Sequence, residues 1–276
     1  METELKYKIS ANIVCKNEKF WLKESILSIV NIVDEIIYVD DNSTDGSLEI
    51  AKNLSGEYNN IKIFEYKDHN LSKLGDLKNF AKENSKNDLV IRWDADFIAY
   101  EDINILFEFS INNFEKYDAY ILSGPNLEGD IFHAPVNKES FGPECYLFKK
   151  DKMKFMKNEN YNDYPIFEKN TKYCYTQNTL KKNFFFIHMN KLKPLEKLAY
   201  RTNMCNYHNS DTKLDYWSWL ESSKEREIEI IKNRKIKIKD FNFEKWGSHP
   251  KLLLNSESVK FFKIKKENGD IYLDYN

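Results

Sequence analysis

The chain has 276 residues, enough for one large domain or one domain with a sizeable appendage. Its 42 Lys and Arg nearly balance 44 Asp and Glu, and a formal net charge of -2 gives bulk electrostatics no grip on nucleic acid. Hydrophobics at 41% and aromatics at 15% supply a real core, and 8 Gly and 6 Pro speak against long disordered linkers.

Apolar spacing predicts a first strand over Lys8–Cys15. A helix follows from about Lys19 to Ile32, with Leu22, Ile26, Ile29 and Val30 at helical intervals. Glu35–Asp40 reads as a second strand, buried on both faces and ending in acid. Asp40–Ser47 is a polar turn with several candidate N-caps for a helix through Leu54, which turns Leu48, Ala51 and Leu54 toward the sheet. Ile61–Tyr66 is a third strand, Asp68–Gly75 a loop, Asp76–Asn84 a helix and Leu89–Trp93 a fourth strand. Such alternation predicts a mostly parallel α/β sheet flanked by helices. Ile103–Phe114 continues as an amphipathic helix and Ala119–Gly124 as a strand.

Beyond Asn126 the alternation fades. Cys145–Lys149 and Asn183–Met189 read as strands, Pro194–Arg201 and Tyr216–Asn233 as helices. Lys235–Lys239 alternates Lys and Ile, as an exposed edge strand or solvated ribbon would. Val259–Leu273 is expected to form a hairpin around Asn268-Gly269.

Cys15, Cys145, Cys174 and Cys205 are widely spaced and form no Cys-x-x-Cys pair, so neither a disulfide framework nor a zinc site is expected. The stretch Met1–Lys6 lacks a signal peptide's apolar core, and no run reaches transmembrane length. The expectation is a cytoplasmic protein, with the inner face of the membrane as a place of work.

The chemistry gathers at strand ends. Leu89–Phe97 runs Leu-Val-Ile-Arg-Trp-Asp-Ala-Asp-Phe, an apolar strand that stops in Asp94 and Asp96. Open α/β sheets bind ligands at the carboxyl ends of their strands. Two close carboxylates repel unless a cation lies between them, and Mg²⁺ commonly takes one or two carboxylates plus substrate phosphates. One acidic strand end is ordinary turn chemistry. Asp40-Asp41 supplies a second, and a parallel sheet puts both on one edge.

These residues together resemble the family 2 glycosyltransferases of GT-A fold. The resemblance is carried by Asn17-Glu18 after the first strand, by Tyr38-Val39-Asp40-Asp41-Asn42-Ser43-Thr44-Asp45-Gly46-Ser47, by Lys78-Asn79 and by Trp93-Asp94-Ala95-Asp96. It covers roughly the first 125 residues. It implies a nucleotide-sugar donor, UDP by default, and Mn²⁺ or Mg²⁺ as cofactor. Asp41 would contact the nucleoside beside Asp40, and Asn17-Glu18 would border the base and ribose. Asp94 and Asp96 would meet the ribose–diphosphate–metal unit, with Lys78 where the family has Arg. His188, at the end of Phe184–Ile187, would be a late metal ligand by that resemblance; read alone, it is rather a packed or surface histidine. The resemblance further implies a GT-A domain over 1–205, with a donor half to 125 and an acceptor half after it, and an extension over 206–276 packed on it. The acceptor would be a cell-surface glycan or glycolipid, such as capsule or lipopolysaccharide.

Inverting transfer needs a carboxylate to take the acceptor's proton. Asp163, Glu159, Glu144 and Glu168 are the candidates, and Asp163 is preferred for its aromatic, loop-like setting before a strand. None of these candidates stands in the family's familiar Glu-Asp pair. Trp217, Trp219 and Trp246 could stack on an acceptor sugar, though core packing is the commoner fate of Trp. Two rivals have a different chemistry. A metal-dependent phosphatase of haloacid-dehalogenase type would use Asp94-Ala95-Asp96, but leaves Asp40-Asp41 idle and places Ile98 where Thr or Val is usual. A nucleotidyltransferase would need a Gly-rich basic loop near the first strand, and none is seen there. A non-catalytic nucleotide-sugar-binding module is the third alternative.

Overall fold

The computed structural model describes residues 9–67, 74–157, 163–199, 216–255 and 263–274. Glu159, Arg201, Cys205 and the Trp217 side chain lie outside the described residues. The chain forms two units that interleave along the sequence. The first takes Met1–Gly124, Phe141–His188 and His249–Leu254; the second takes Pro125–Ser140, Met189–Ser248 and Asn255–Asn276.

In chain order the elements begin with β1 (Ile9–Cys15), α1 (Lys19–Leu27), β2 (Glu35–Asp41), α2 (Ser47–Glu57) and β3 (Ile61–Tyr66). Next come α3 (Leu74–Glu83), β4 (Leu89–Arg92), β5 (Phe97–Ala99), α4 (Ile103–Asn112) and β6 (Ala119–Pro125). Then follow β7 (His133–Pro135), β8 (Ser140–Lys149), β9 (Met153–Met156), β10 (Tyr164–Phe167) and β11 (Tyr173–Tyr175). The series closes with β12 (Phe186–His188), helix Tyr216–Lys232, β13 (Lys237–Asp240), β14 (Lys263–Glu267) and β15 (Asp270–Asp274), with short helical turns between.

The first unit is built on a seven-stranded sheet of order β11-β6-β8-β4-β1-β2-β3. β4, β1, β2 and β3 run parallel, while β8 joins β4 antiparallel. The mostly parallel α/β expectation holds. Its physical origin is visible in β2, where every residue is buried. Ile36 and Tyr38 feed the core on one face, Ile37 and Val39 the core on the other, where Leu77 and Ala81 of α3 cover them. A strand covered on both sides must be apolar throughout. α1 ends at Leu27, short of the predicted Ile32. The chain there tightens into turns, with Ile29 N donating to Ile26 O and Ile32 N to Ile29 O, and Ile29 and Val30 remain buried. Apolar spacing therefore marked the packing face correctly while the backbone left the α-helical ladder.

Glu35 opens β2 at the edge away from the acidic strand ends and is 1% exposed. It accepts hydrogen bonds from Ser10 Oγ at 2.6 Å, the Lys86 amide at 2.5 Å and Lys62 Nζ at 2.9 Å. Burial pushes its carboxyl up, but these donors outweigh burial and hold it below its ordinary value. A depressed carboxylate contributes stability above its unfolded pKa and loses it as pH falls through the folded one. Glu35→Gln is therefore expected to cost about 2–3 kcal/mol at pH 7, because charge-assisted bonds to a buried group are lost. The gap should narrow as pH falls below the ordinary carboxylate range and close only once the lowered folded value is passed and the wild-type carboxyl is protonated too. Urea midpoints at pH 7 and in steps down to the acid limit of the folded state check this; a deficit that does not narrow would refute it.

In the second unit a four-stranded sheet runs β14-β15-β13-β7. The hairpin forms as expected, with Asn268 at φ 51° and Gly269 at φ 82° between β14 and β15. Both turn residues need positive φ, which Asn and Gly tolerate. β13 was expected at an exposed edge, yet it pairs with β15 on one side and β7 on the other. Ile238 is buried there, so the alternation reflects one covered face rather than a solvated ribbon. Trp219 and Trp246 are buried, as core residues. Among the described residues, no helix is long and apolar enough to cross a membrane.

Candidate active site

Because β1, β2 and β4 are parallel, their carboxyl ends share one edge. Asn17-Glu18 follows β1, Asp40-Asp41 closes β2, and Asp94 and Asp96 follow β4. The loops after β1 and β2 are knitted together. Asn17, at φ 56°, accepts from the Thr44 amide at 2.7 Å, while its own amide donates to Ser43 Oγ at 3.0 Å. The Glu18 amide donates to Ser47 Oγ at 2.9 Å. Asp40 is buried and accepts from the Ser43 amide at 2.8 Å and Tyr38 Oη at 3.1 Å. Asp40 and Asn17 thus shape the edge, while Asp41 stands buried at the last position of β2.

Asp45 does more than the turn chemistry predicted. Its carboxylate accepts from the Lys19 amide at 3.1 Å and the Ser47 amide at 3.0 Å, the first residues of α1 and α2. One carboxylate meets the exposed amides of two helix N-termini, where negative charge is favourable. The polar turn hinted at a cap for α2; nothing local hinted at α1.

Asp94, Asp96 and His188 converge. One ligand atom from each lies within 4.8 Å of the others, and His188 Nε2 is 3.3 Å from Asp96 Oδ1. Strand pairing brings His188 in: β12 runs antiparallel to β5, with His188 opposite Phe97, the residue after Asp96. The predicted strand Asn183–Met189 shortens to Phe186–His188, because β5, its partner, has three residues. Beneath lies an aromatic bed. Phe186 stacks on Phe97 at 4.4 Å and meets Trp93 at 5.3 Å and Tyr146 at 5.0 Å, and Phe97 meets the His188 ring at 4.7 Å. Trp93 Nε1 donates to Ser25 Oγ at 3.0 Å and ties this bed to α1. Two carboxylates and an imidazole at this spacing fit a divalent cation such as Mn²⁺ or Mg²⁺, with hard oxygens dominating the donor set.

Beside this cluster lies a second group of charges. Arg92 grips Asp94 with a two-point fork, Nε to Oδ1 at 3.2 Å and Nη2 to Oδ2 at 3.1 Å. Lys78 on α3 pairs with Asp163 just before β10. A small pocket there is lined by Asn12, Val14, Lys78, Arg92, Asp94, Phe148 and Phe155, among others. Burial pushes Asp94 up, but Arg92 and then Lys78 outweigh it and bring it down to about 2. Burial likewise raises Asp163, and Lys78 and Arg92 more than reverse it, so Asp163 sits below the usual carboxylate range.

The other base candidates stand differently. Glu144 is exposed and accepts from Tyr146 Oη at 2.9 Å, and Glu168 is exposed and pairs with Lys152 at 3.1 Å. Sequence reading passed over Arg92. Its signal was a lone cation inside an apolar strand, two residues before Asp94, where it can only be tolerated with a partner.

Comparison with known proteins agrees with this edge. Residues 10–166 match the profile of glycosyl transferase family 2. An uncharacterized glycosyltransferase of Rickettsia conorii is 33% identical over 144 residues, 50% of this chain and 48% of that protein. The cholesterol galactosyltransferase of Borreliella burgdorferi is 40% identical over 94 residues, 33% of this chain and 25% of that protein. The chain thus spans about half the length of the Rickettsia relative and less of the Borreliella one. In fold it is similar to the mannosyltransferase PcManGT from Pyrobaculum calidifontis, solved with GDP-Man and Mn²⁺, at a TM-score of 0.50 and 10% identity over 82% of this chain and 73% of that one. The likeness is one of fold, that of the GT-A glycosyltransferases. The family match covers more than half of the chain and includes every acidic strand end described above, so the chain belongs to glycosyl transferase family 2.

Proposed function

We propose that the chain moves a sugar from a nucleotide-sugar donor, UDP-linked by default, to a hydroxyl of a cell-surface glycan or glycolipid acceptor, with inversion at the anomeric carbon. One observation carries the reading: Asp94, Asp96 and His188 meet on the carboxyl edge of the parallel sheet. Asp94, Asp96 and His188 would hold Mn²⁺ or Mg²⁺, which supplies positive charge to the diphosphate leaving group as its bond to the sugar breaks. Lys78 adds a cation on the same side, and such charge is worth most where water is excluded. Asn17, Glu18 and Asp41 border the nucleoside, on the rigid double loop that Asp45 and Asp40 brace.

Asp163 is proposed as the base. Paired with Lys78 it is too weakly basic, so its role requires the donor diphosphate to draw Lys78 away first. The likeness to a protein named cholesterol galactosyltransferase supports trying a sterol hydroxyl as acceptor beside capsule and lipopolysaccharide sugars. That reading places the protein at the inner face of the membrane, with 1–205 as the transferase domain and 206–276 as its extension.

The first experiment is a thermal-shift screen of UDP, GDP, CDP, ADP and TDP, each with Mn²⁺, with Mg²⁺ and with EDTA. A ligand at about a hundred times its Kd stabilises the native state by roughly 2.7 kcal/mol. One diphosphate is expected to raise the midpoint with metal and not with EDTA. A flat screen would remove the donor reading, and phosphomonoester hydrolysis would be assayed next.

A further inference from the structure

We propose that the outward face of the β9–β10 hairpin docks on an anionic lipid bilayer. This rests on the acceptor reading above and adds to it the surface by which the chain meets the membrane.

Strand alternation makes the face. On β9, Met153 and Phe155 are buried, while Lys154 and Met156 are exposed on the opposite side. On β10, Tyr164 and Ile166 are exposed. Antiparallel pairing sets Met156 opposite Tyr164 and Lys154 opposite Ile166, so the four side chains form one patch. The inner face packs with Val90, Ala119 and Phe148 of the sheet. A strand face left in water ordinarily carries polar residues. Here three of the four are apolar, with Met156 51% exposed, Tyr164 46% and Ile166 44%. Tyr173 and Tyr175 of β11 share a face of that strand and are exposed too, and the Tyr173 ring lies 5.4 Å from that of Phe167 on β10. The hairpin is also firmly held. Asn79 of α3 accepts from the Phe155 amide at 2.9 Å and donates to the Phe155 carbonyl at 2.8 Å. Lys82 Nζ donates to the carbonyls of Met153 at 2.8 Å and Lys150 at 3.0 Å. The patch is thus ordered before any partner arrives, which lowers the cost of binding.

Charge selects the partner. Lys154 lies in the patch, Lys157 follows β9, Lys169 follows β10 and Lys172 precedes β11, and all four are exposed. Among the described residues no ion pair engages them, and the exposed acids nearby, Asp151 and Glu168, both pair with Lys152. Every cation from Lys149 to Lys182 is Lys. Protein interfaces enrich Arg and deplete Lys. A headgroup layer suits Lys, whose stem lies along apolar surface while its ammonium reaches outward, and Tyr settles at the same level. Anionic lipid attracts each nearby Lys, and buried apolar area adds to that attraction. Asp163, the proposed base, directly precedes Tyr164. A bilayer seated on this face presents its lipid-linked hydroxyls beside that carboxylate.

The test is co-sedimentation of the full chain with vesicles of phosphatidylcholine alone and of phosphatidylcholine with phosphatidylglycerol. Wild type is expected to bind the anionic vesicles at least about ten-fold more tightly than the neutral ones. That preference should fade from about 0.1 M to about 1 M salt, as the screening length drops to about 3 Å. Met156→Ser with Ile166→Ser should weaken anionic binding about ten-fold. Lys154→Glu with Lys172→Glu should weaken it at least as much. Phe132→Ser, which removes an equally exposed apolar side chain from the second unit, should stay within about two-fold of wild type. Should the apolar pair lose the fold, the lysine pair carries the same expectation. Equal binding to both vesicles overturns the proposal, as does wild-type binding by the hairpin variants or an equal loss in Phe132→Ser. Sedimentation velocity without lipid is the companion measurement. A concentration-dependent dimer that the hairpin variants abolish would assign the face to a second copy and overturn the proposal. Vesicle binding needs no nucleotide, so anionic binding beside a flat nucleotide screen upholds the face and sinks the donor reading alone.

Discussion

Asp96→Ala is expected to lower sugar-nucleotide turnover by about a thousand-fold or more, with little loss of stability. Removing one preorganised electrostatic group from an acyl-transfer site costs about 100- to 1000-fold, and a lost cation removes more than one such contact. Asp96 is the informative position because its carboxylate belongs to the cluster yet takes no part in the fork that holds Arg92. Asp94→Ala is a poorer test. It leaves Arg92 without the carboxylate that its fork grips, and orphaning one half of this half-buried pair costs stability by itself. The measurement is the initial rate of donor consumption at saturating donor and Mn²⁺, alongside the melting midpoint. If Asp96→Ala keeps a tenth of the wild-type rate, the metal centre is not at these residues.

The second large effect is on stability. Phe186→Ala is expected to cost about 3–5 kcal/mol, the range for emptying a buried aromatic position. Phe186 is fully buried and touches the rings of Phe97, Trp93, Phe141 and Tyr146. It is also part of β12, the strand that carries His188 beside Asp96. The cavity would therefore loosen the site as well as the core. At about 2–4 °C per kcal/mol for a domain of this size, the melting midpoint should fall by roughly 6–20 °C. Phe186→Leu, which keeps most of the volume, should cost about half as much or less. A drop under about 2 °C for the Ala variant would show that the aromatic bed collapses around the gap instead of holding its shape.

Both predictions depend on a division between local and distant information. The alternation of strands and helices to about residue 124 was legible in the sequence, because a strand covered on both faces must be apolar throughout, as β2 is. Its acidic ends were legible too: Asp40-Asp41 and Asp94-Ala95-Asp96 break their apolar runs abruptly, and a parallel sheet brings them to one edge. The Asn268-Gly269 hairpin was readable for a similar reason, since two adjacent positive-φ positions demand those residues.

What surrounds the acids was decided by the tertiary structure. His188 reaches Asp96 only because β12 chooses β5 as its partner, and no periodicity encodes which strand a distant segment will join. Arg92 looked like an interruption in an apolar strand until its fork on Asp94 gave it a partner. Asp163 looked like a turn residue near aromatics, and its pairing with Lys78 sets its basicity in a way neither neighbourhood shows. β13 carried the alternation of a ribbon with one wet face, and only its two partners made it an interior strand. Hydrophobic pattern states which face a residue turns inward. Which charges then meet is a matter of strand order and register, and these are set by the packing of the whole sheet.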